Sequence, residues 1–532
     1  MNESYDAIVV GGGIAGLTSA AYLTRSGART LLIEKREQTG GLVNTFHHQG
    51  FAFDAGIRAF ENSGILFPML KNLGIDLALC TNPVSIGIGE QWICLGDRED
   101  LQQYGRLLTS VFPQNAADIV QICREIRKVM GYMDVLYGID NPIFLENMHD
   151  TEYLVKTLLP WLMQYRINIR KAGRLCLPVH THLRQFTQND ALIDMIAQHF
   201  FQDTPAFFAL SYFGLYLDYR YPMGGTGVLA EKLTSYIAGQ GGRIQTAAFV
   251  KRIDCKNNQL LLSNGQTPRY QTLIWAANQK TLYANMTGAN TLSLKKQRSL
   301  VEQCTGGDSV LTLFLGVNWE SERFFRLCGA HAFYTPHTNG LSSLPPWRDA
   351  AKNGLPALLE WLGLYLESTT YELSCPALRD PSLAPPGATG LIVSTLMEYD
   401  LVRCFYDLGE YRTFKKYCTS AIVRILHQTQ FAGLQDSLRF ALCATPLTIE
   451  RITGNAQGAI TGWSFCSGKL PSEHRFPKIT RSIQTPVRNI LQCGQWTFSP
   501  SGLPVSILTG KLAADAACRR KGDALCYGAL LN

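Results

Sequence analysis

"IVVGGGIAGLTSAAYL", from Ile8 to Leu23, drives an apolar run into glycines and then into a small-residue helix pattern. The stretch beginning at Asp6 reads as a short buried parallel strand, because it is brief, β-branched and ended by glycine. Gly11, Gly13 and Gly16 follow the spacing G-x-G-x-x-G. The first glycine permits the tight turn, the second lets the backbone approach a pyrophosphate, and the third lets the next helix lie close to the strand. Ile14 and Ala15 open that helix, whose free N–H groups and positive dipole end suit a phosphate.

The surroundings turn a common glycine pattern into a specific one. The helix is expected to run to about Ser26, with Gly27 as its cap, and "ARTLLIE" forms a second strand ending at Glu34. An acid at that tip accepts the hydroxyls of an adenosine ribose and repels a 2′-phosphate, which disfavours NADP. Lys35 follows it, and a second diglycine, Gly40-Gly41, comes a few residues later with Leu42 and Val43 behind it.

Composition narrows the class. At 532 residues the chain exceeds one simple core, and 46 % hydrophobic with 17 % charged residues is globular. The net charge of +7 comes from scattered Lys and Arg, a solvated surface rather than a nucleic-acid site, with weak attraction to anionic lipid left open. Fifteen cysteines without a CxxC pair argue for reduced thiols. The start, "MNESYDAIVV", enters a strand without a basic n-region, so it does not read as a signal peptide, and no run is apolar enough to span a bilayer. These features point to the cytoplasm, with association at the inner face of a membrane as a further expectation. His180-x-His182 is the one histidine pair able to share a strand face. It lacks a third ligand close by in sequence, so no metal is expected.

The extended pattern from Gly11 to Gly41, with "GFAFDAG" (Gly50 to Gly56) after it, resembles the FAD-binding module of the flavin amine oxidases and carotenoid desaturases. "YPMGGTGVLAEKL" (Tyr221 to Leu233), "SCPALRDPSLAPPGATG" (Ser374 to Gly390) and "TPLTIERITGNAQGAITGW" (Thr445 to Trp463) are similar to further segments of the phytoene desaturase, carotenoid isomerase and retinol saturase superfamily. The last two read as fold markers rather than catalytic motifs. The resemblance implies non-covalently bound FAD, held by Gly11, Gly13, Ile14, Ala15, Gly16, Glu34, Lys35, Gly40, Gly41, Leu42 and Val43. It also implies a hairpin valine at the adenine, Val250. At the C-terminal end, Gly494-Gln495 would lie on the ribityl chain and the helix start Leu503-Pro504-Val505 would face the flavin. Two departures stand out: Leu42 replaces an arginine common after the diglycine, and Gln495 replaces an aspartate.

The implied fold is α/β: a discontinuous Rossmann-type FAD-binding domain (1–60, 221–285 and 485–525), a helical, partly apolar subdomain (61–220) and a mixed-sheet substrate domain (286–484). The implied activity is hydride exchange with C–C or C=C bonds of a long apolar isoprenoid or polyene, by desaturation, isomerisation or saturation, leaning to the first two. The alternative is a flavin amine oxidase acting on an amine, which would call for an aromatic cage and a lysine near the flavin. Arg58 and Glu61 in "DAGIRAFEN" are the candidate catalytic groups, able either to form a structural ion pair or to place and protonate a substrate end. "TPAFFALSYFGLYL" (Thr204 to Leu217) reads as core or as a substrate tunnel. The apolar-then-basic stretch from Tyr153 to Lys171 motivates peripheral membrane contact.

Overall fold

The computed structural model describes residues 3–145, 152, 154–466 and 468–521. Tyr153, and positions 522–525 of the last expected FAD-binding piece, lie outside the described residues.

Two sheets organise the molecule. The first has the order Met286–Thr287, Val250–Asp254, Gln259–Leu262, Arg269–Trp275, Ser4–Val10, Thr30–Ile33, Arg243–Gln245. Its centre is parallel: Ser4–Val10 lies between Arg269–Trp275 and Thr30–Ile33, and Arg243–Gln245 continues beyond the latter. Arg269–Trp275 begins against the hairpin strand Gln259–Leu262 and ends parallel to Ile490–Gln492. Three distant stretches thus build one nucleotide-binding sheet, and Met286–Thr287 carries it past the expected boundary at 285.

The helix Ile14–Arg25 crosses this sheet with Ala15, Leu17, Ala20 and Ala21 buried, and the long helix Leu503–Lys521 packs along it. Small residues allow that closeness. Ser19 Oγ donates to the Gly510 carbonyl at 2.7 Å, and a Cβ on Gly510 would stand 2.5 Å from the Ala15 carbonyl oxygen.

The second sheet is mixed, in the order Leu438–Ala444, Ser309–Val317, Thr389–Met397, Tyr371–Ser374, His331–Thr335, Val84–Ile88, Gln91–Leu95. Its last two strands come from the stretch 61–220, which was expected to be helical. The reason is local: "VSIGIGEQWICL" alternates about a turn at Gly89, where φ is +57°, and Val84 and Ile88 are buried. The remainder of 61–220 is largely helical, including Asp100–Val111, Ala116–Tyr137, Leu159–Ala172 and Ala206–Leu217. His180 and His182 also depart from expectation, lying on the short helix Val179–Leu183 rather than a strand. They face different acids, Asp194 at 3.9 Å and Glu125 at 3.3 Å.

Asp54, fully buried, ties separate pieces together. Its Oδ2 accepts from Tyr221 Oη at 2.7 Å, and its Oδ1 accepts from the Thr226 amide at 2.8 Å, Thr226 Oγ1 at 3.0 Å and Thr45 Oγ1 at 3.0 Å. Asp54→Ala orphans these donors and should cost about 3 kcal/mol of stability. A denaturant midpoint unchanged from the parent would contradict that account.

Candidate functional site

A cavity of about 630 Å³ runs from the tip of the second strand, past the glycine loop, to a chamber against the second sheet. At its nucleotide end the backbone is shaped by crowding. Gly11 has φ +106°, and a Cβ there would stand 2.7 Å from the Ala276 carbonyl oxygen. A Cβ on Gly16 would lie 1.9 Å from the Gly11 carbonyl oxygen. Gly13 is different: its φ of −73° suits any residue, and a Cβ there would meet nothing within 4 Å. The open space in front of Gly13 is where a pyrophosphate fits.

Glu34 is set in advance. Its Oε2 accepts from the Gly12 amide at 2.7 Å and its Oε1 from the Arg36 amide at 2.9 Å, which leaves a lone pair on each oxygen for ribose hydroxyls. The second diglycine returns to this loop. The Gly40 amide donates to the Gly12 carbonyl at 2.7 Å, and a Cβ on Gly41 would stand 3.2 Å from Gly13 Cα.

Gly11, Gly13, Ile14, Ala15, Glu34, Lys35, Gly40, Gly41, Leu42, Val43, Val250, Gly494, Gln495 and Leu503 all line the cavity. Gly16 lies behind it, where its role is packing, and Pro504 and Val505 are not among the lining residues; Gly502, Leu503 and Ser506 hold that end. The segment after Thr445, read as a fold marker, also reaches the site. It supplies Ile449, Thr453, Gly454 and Asn455, and Asn278 Nδ2 donates to the Gly454 carbonyl at 3.0 Å.

Arg58 and Glu61 both line the cavity but form no ion pair with each other. Arg58 is 4 % exposed, and its Nη1 donates to the carbonyls of Asp54, at 2.7 Å, and Gly56, while Nη2 donates to Ser394 Oγ at 3.1 Å. The guanidinium therefore holds the turn 54–56 against the second sheet. Glu61 is left without a counterion, and burial, reinforced by the charge of Asp218, pushes its carboxyl up to about 7. A Cβ on Gly502 would lie 3.5 Å from Glu61 Oε1, so the carboxyl stands at the start of the helix Leu503–Lys521.

The aromatic stretch after Thr204 divides between the core and the cavity wall. Phe207, Leu210 and Phe213 pack into the core, while Phe208, Tyr212 and Tyr216 face the chamber. His331 and Glu372 lie opposite, on adjacent strands, and were not anticipated; a carboxylate inside the otherwise uncharged, strand-forming stretch "TTYELSC" is the signal that marks them. His199 also lines the chamber, with burial lowering its pKa to about 4 against the pull of Glu372. The described residues contain no cluster of His, Cys, Asp and Glu fit for a metal ion.

The chain matches the flavin containing amine oxidoreductase family over residues 14–518. It is 24 % identical to a chloroplastic prolycopene isomerase of Daucus carota, covering 86 % of this chain and 72 % of that one. It is also 24 % identical to an all-trans-retinol 13,14-reductase of Danio rerio, covering 93 % of this chain and 82 % of that one. In fold it resembles a putrescine oxidase variant, with a TM-score of 0.61 at 12 % identity, over 98 % of this chain and 100 % of the other.

Gly13→Leu should give a folded chain whose bound FAD falls more than about tenfold, because the new side chain enters the cofactor's space without straining the backbone. Gly16→Leu should instead fail to fold. Stoichiometric FAD in purified Gly13→Leu protein, read from its visible spectrum, would refute the cradle.

Proposed function

This chain belongs to the flavin-containing amine oxidoreductase family and is an enzyme that uses FAD; from that premise we propose that it acts on C–C or C=C bonds of a long apolar isoprenoid or polyene. Bound FAD supplies hydride exchange at its ring nitrogen N5. The observation that carries the substrate class is the chamber wall. Phe200, Phe208, Tyr212, Tyr216, Phe314 and Phe333 surround it. A narrow pocket of about 50 Å³, lined largely by apolar residues such as Ile86, Ile126, Met195 and Leu210, adjoins it through Phe200, Tyr216 and Phe333. An aromatic and aliphatic channel of this kind aligns a chain and excludes water. The relatives named for prolycopene and retinol support the reading. An amine oxidase role has less support, since among the described residues the only lysine lining the cavity is Lys35, beside Glu34.

Where the reaction adds a proton to the substrate, as in saturation or isomerisation, Glu61 holds that proton for delivery. Its carboxyl, raised to about 7, is protonated below that pH and ionised above it, so turnover should fall as pH rises through about 7. Glu61→Gln should remove that limb of the profile; an unchanged limb would exclude Glu61 as the donor. Mixing FAD-loaded enzyme anaerobically with a polyene tests the reaction. Bleaching of oxidised enzyme marks a desaturase, reoxidation of reduced enzyme a saturase, and geometric isomers alone an isomerase. Turnover of an amine with none of these would overturn the proposal.

Membrane docking would let an insoluble substrate enter. Val155, Leu159, Met163 and Ile167 are 64, 55, 66 and 56 % exposed and recur every fourth residue along one face. Arg166, Arg170, Lys171 and Arg174 stand exposed beside them. Trp161 is not on this stripe, since its Nε1 donates to the Val135 carbonyl at 2.6 Å. Leu159→Ser with Met163→Ser should cut co-sedimentation with anionic liposomes several-fold; unaltered binding would clear this helix.

A further inference from the structure

Glu372, His331 and Asn82 form a chain whose proton positions follow from their neighbours. Arg379 Nη1 donates to Asn82 Oδ1 at 3.0 Å, and a guanidinium can only donate. The Asn82 amide nitrogen therefore faces His331 Nδ1 at 3.1 Å and makes that nitrogen the acceptor. The ring proton stands on Nε2 and is donated to Glu372 Oε1 at 2.9 Å. Tyr219 stacks on the imidazole, with centroids 5.6 Å apart and planes 12° from parallel.

His331 is 1 % exposed, but the Glu372 side chain keeps 32 % of its surface open, and Glu372 is part of the cavity wall. Burial pushes its carboxyl up, yet the His331 hydrogen bond and the charges of Arg58 and Arg379 outweigh that and hold it below the usual range. Oε1 is engaged, and no protein hydrogen bond reaches Oε2 among the described residues. Tyr212 and Tyr219 line the same chamber, within electrostatic reach of Glu372, and their hydroxyls also lack a protein partner there.

A pure hydrocarbon laid here would strip water from an ionised carboxylate without replacing its hydrogen bond. A carboxylate end group would meet like charge. A hydroxyl both donates, to Glu372, and accepts, from a tyrosine. We propose that this wall is a subsite for a hydroxyl group on the substrate, so that the enzyme selects an oxygenated isoprenoid or polyene over a hydrocarbon one; this rests on the substrate class proposed above.

The test titrates FAD-loaded protein with all-trans-retinol, all-trans-retinoic acid and the deoxy hydrocarbon of retinol, reading dissociation constants from quenched tryptophan fluorescence. The alcohol should bind at least about tenfold tighter than either analogue. Glu372→Leu should bring alcohol and hydrocarbon within about threefold of each other at unchanged FAD content, and Tyr212→Phe should weaken the alcohol alone. Equal affinity of alcohol and hydrocarbon for the parent protein would remove the subsite and leave the polyene reading standing. Loss of FAD from folded Glu372→Leu would assign the carboxylate to the cofactor instead. No binding of any polyene, together with flavin reduction by putrescine, would overturn the polyene reading and the subsite with it.

Discussion

Everything near the cofactor depends on the absence of side chains between the first helix and the loop that precedes it. With a Cβ on Gly16 only 1.9 Å from the Gly11 carbonyl oxygen, the helix Ile14–Arg25 can start where it does only if that position is glycine. The same economy of bulk continues on its other face, where Gly510 approaches the Ala15 carbonyl and a Cβ on Gly494 would come 3.2 Å from that of Ala15. The C-terminal helix thereby reaches the N-terminal one, and the flavin end of the site closes from residues almost five hundred positions away. Dispersion and burial along this contact are large because the backbones are close.

Charge balance governs the other end. Arg58, Arg379, Asp54 and Glu372 sit in or beside the chamber, and such groups persist in a protein interior only when paired or well hydrogen-bonded. Asp54 accepts from hydroxyls and an amide, Arg58 donates through both Nη atoms to carbonyls and Ser394, and Arg379 donates to Asn82 and Ser374 over the face of Tyr221, while Nε of each guanidinium has no hydrogen-bond partner. Arg58 turns its Nη atoms to these partners and forms no ion pair with Glu61, three residues on. The raised pKa of Glu61 comes from its burial and from the charge of Asp218.

The nucleotide end was legible in the sequence because its determinants are local. Glycines at fixed spacing and an acid at a strand tip each act on their own backbone. Residues whose partners lie across sheets were not legible. Nearness in sequence suggested an Arg58–Glu61 pair, yet Arg58 turns to Ser394 on a strand more than three hundred residues away. His331 and Glu372 meet only once His331–Thr335 and Tyr371–Ser374 pair in register. Strands Val84–Ile88 and Gln91–Leu95 were masked by the helices around them, and their alternation is short. Within the apolar-then-basic stretch from Tyr153 to Lys171, Trp161 has its indole fixed to a neighbouring helix, a contact that residue type alone does not disclose.

The turn 54–56, whose Ala55 and Gly56 line the cavity, must also be held in place, and Arg58 fastens it to the second sheet. Its Nη1 holds the turn that follows Phe51–Asp54, and its Nη2 reaches Ser394, which also hydrogen-bonds Thr312 at 3.0 Å on the neighbouring strand. From the other side Arg379 Nη1 donates to the Arg58 carbonyl at 3.2 Å. A planar guanidinium with several donors in a rigid fork suits this task better than a flexible ammonium. Reaction between two bound partners loses rate steeply when they are displaced by about 1 Å. Arg58 thus works by position: it holds the cavity wall at 55–56 against Ser394 and, turned away from Glu61, leaves that carboxyl unpaired.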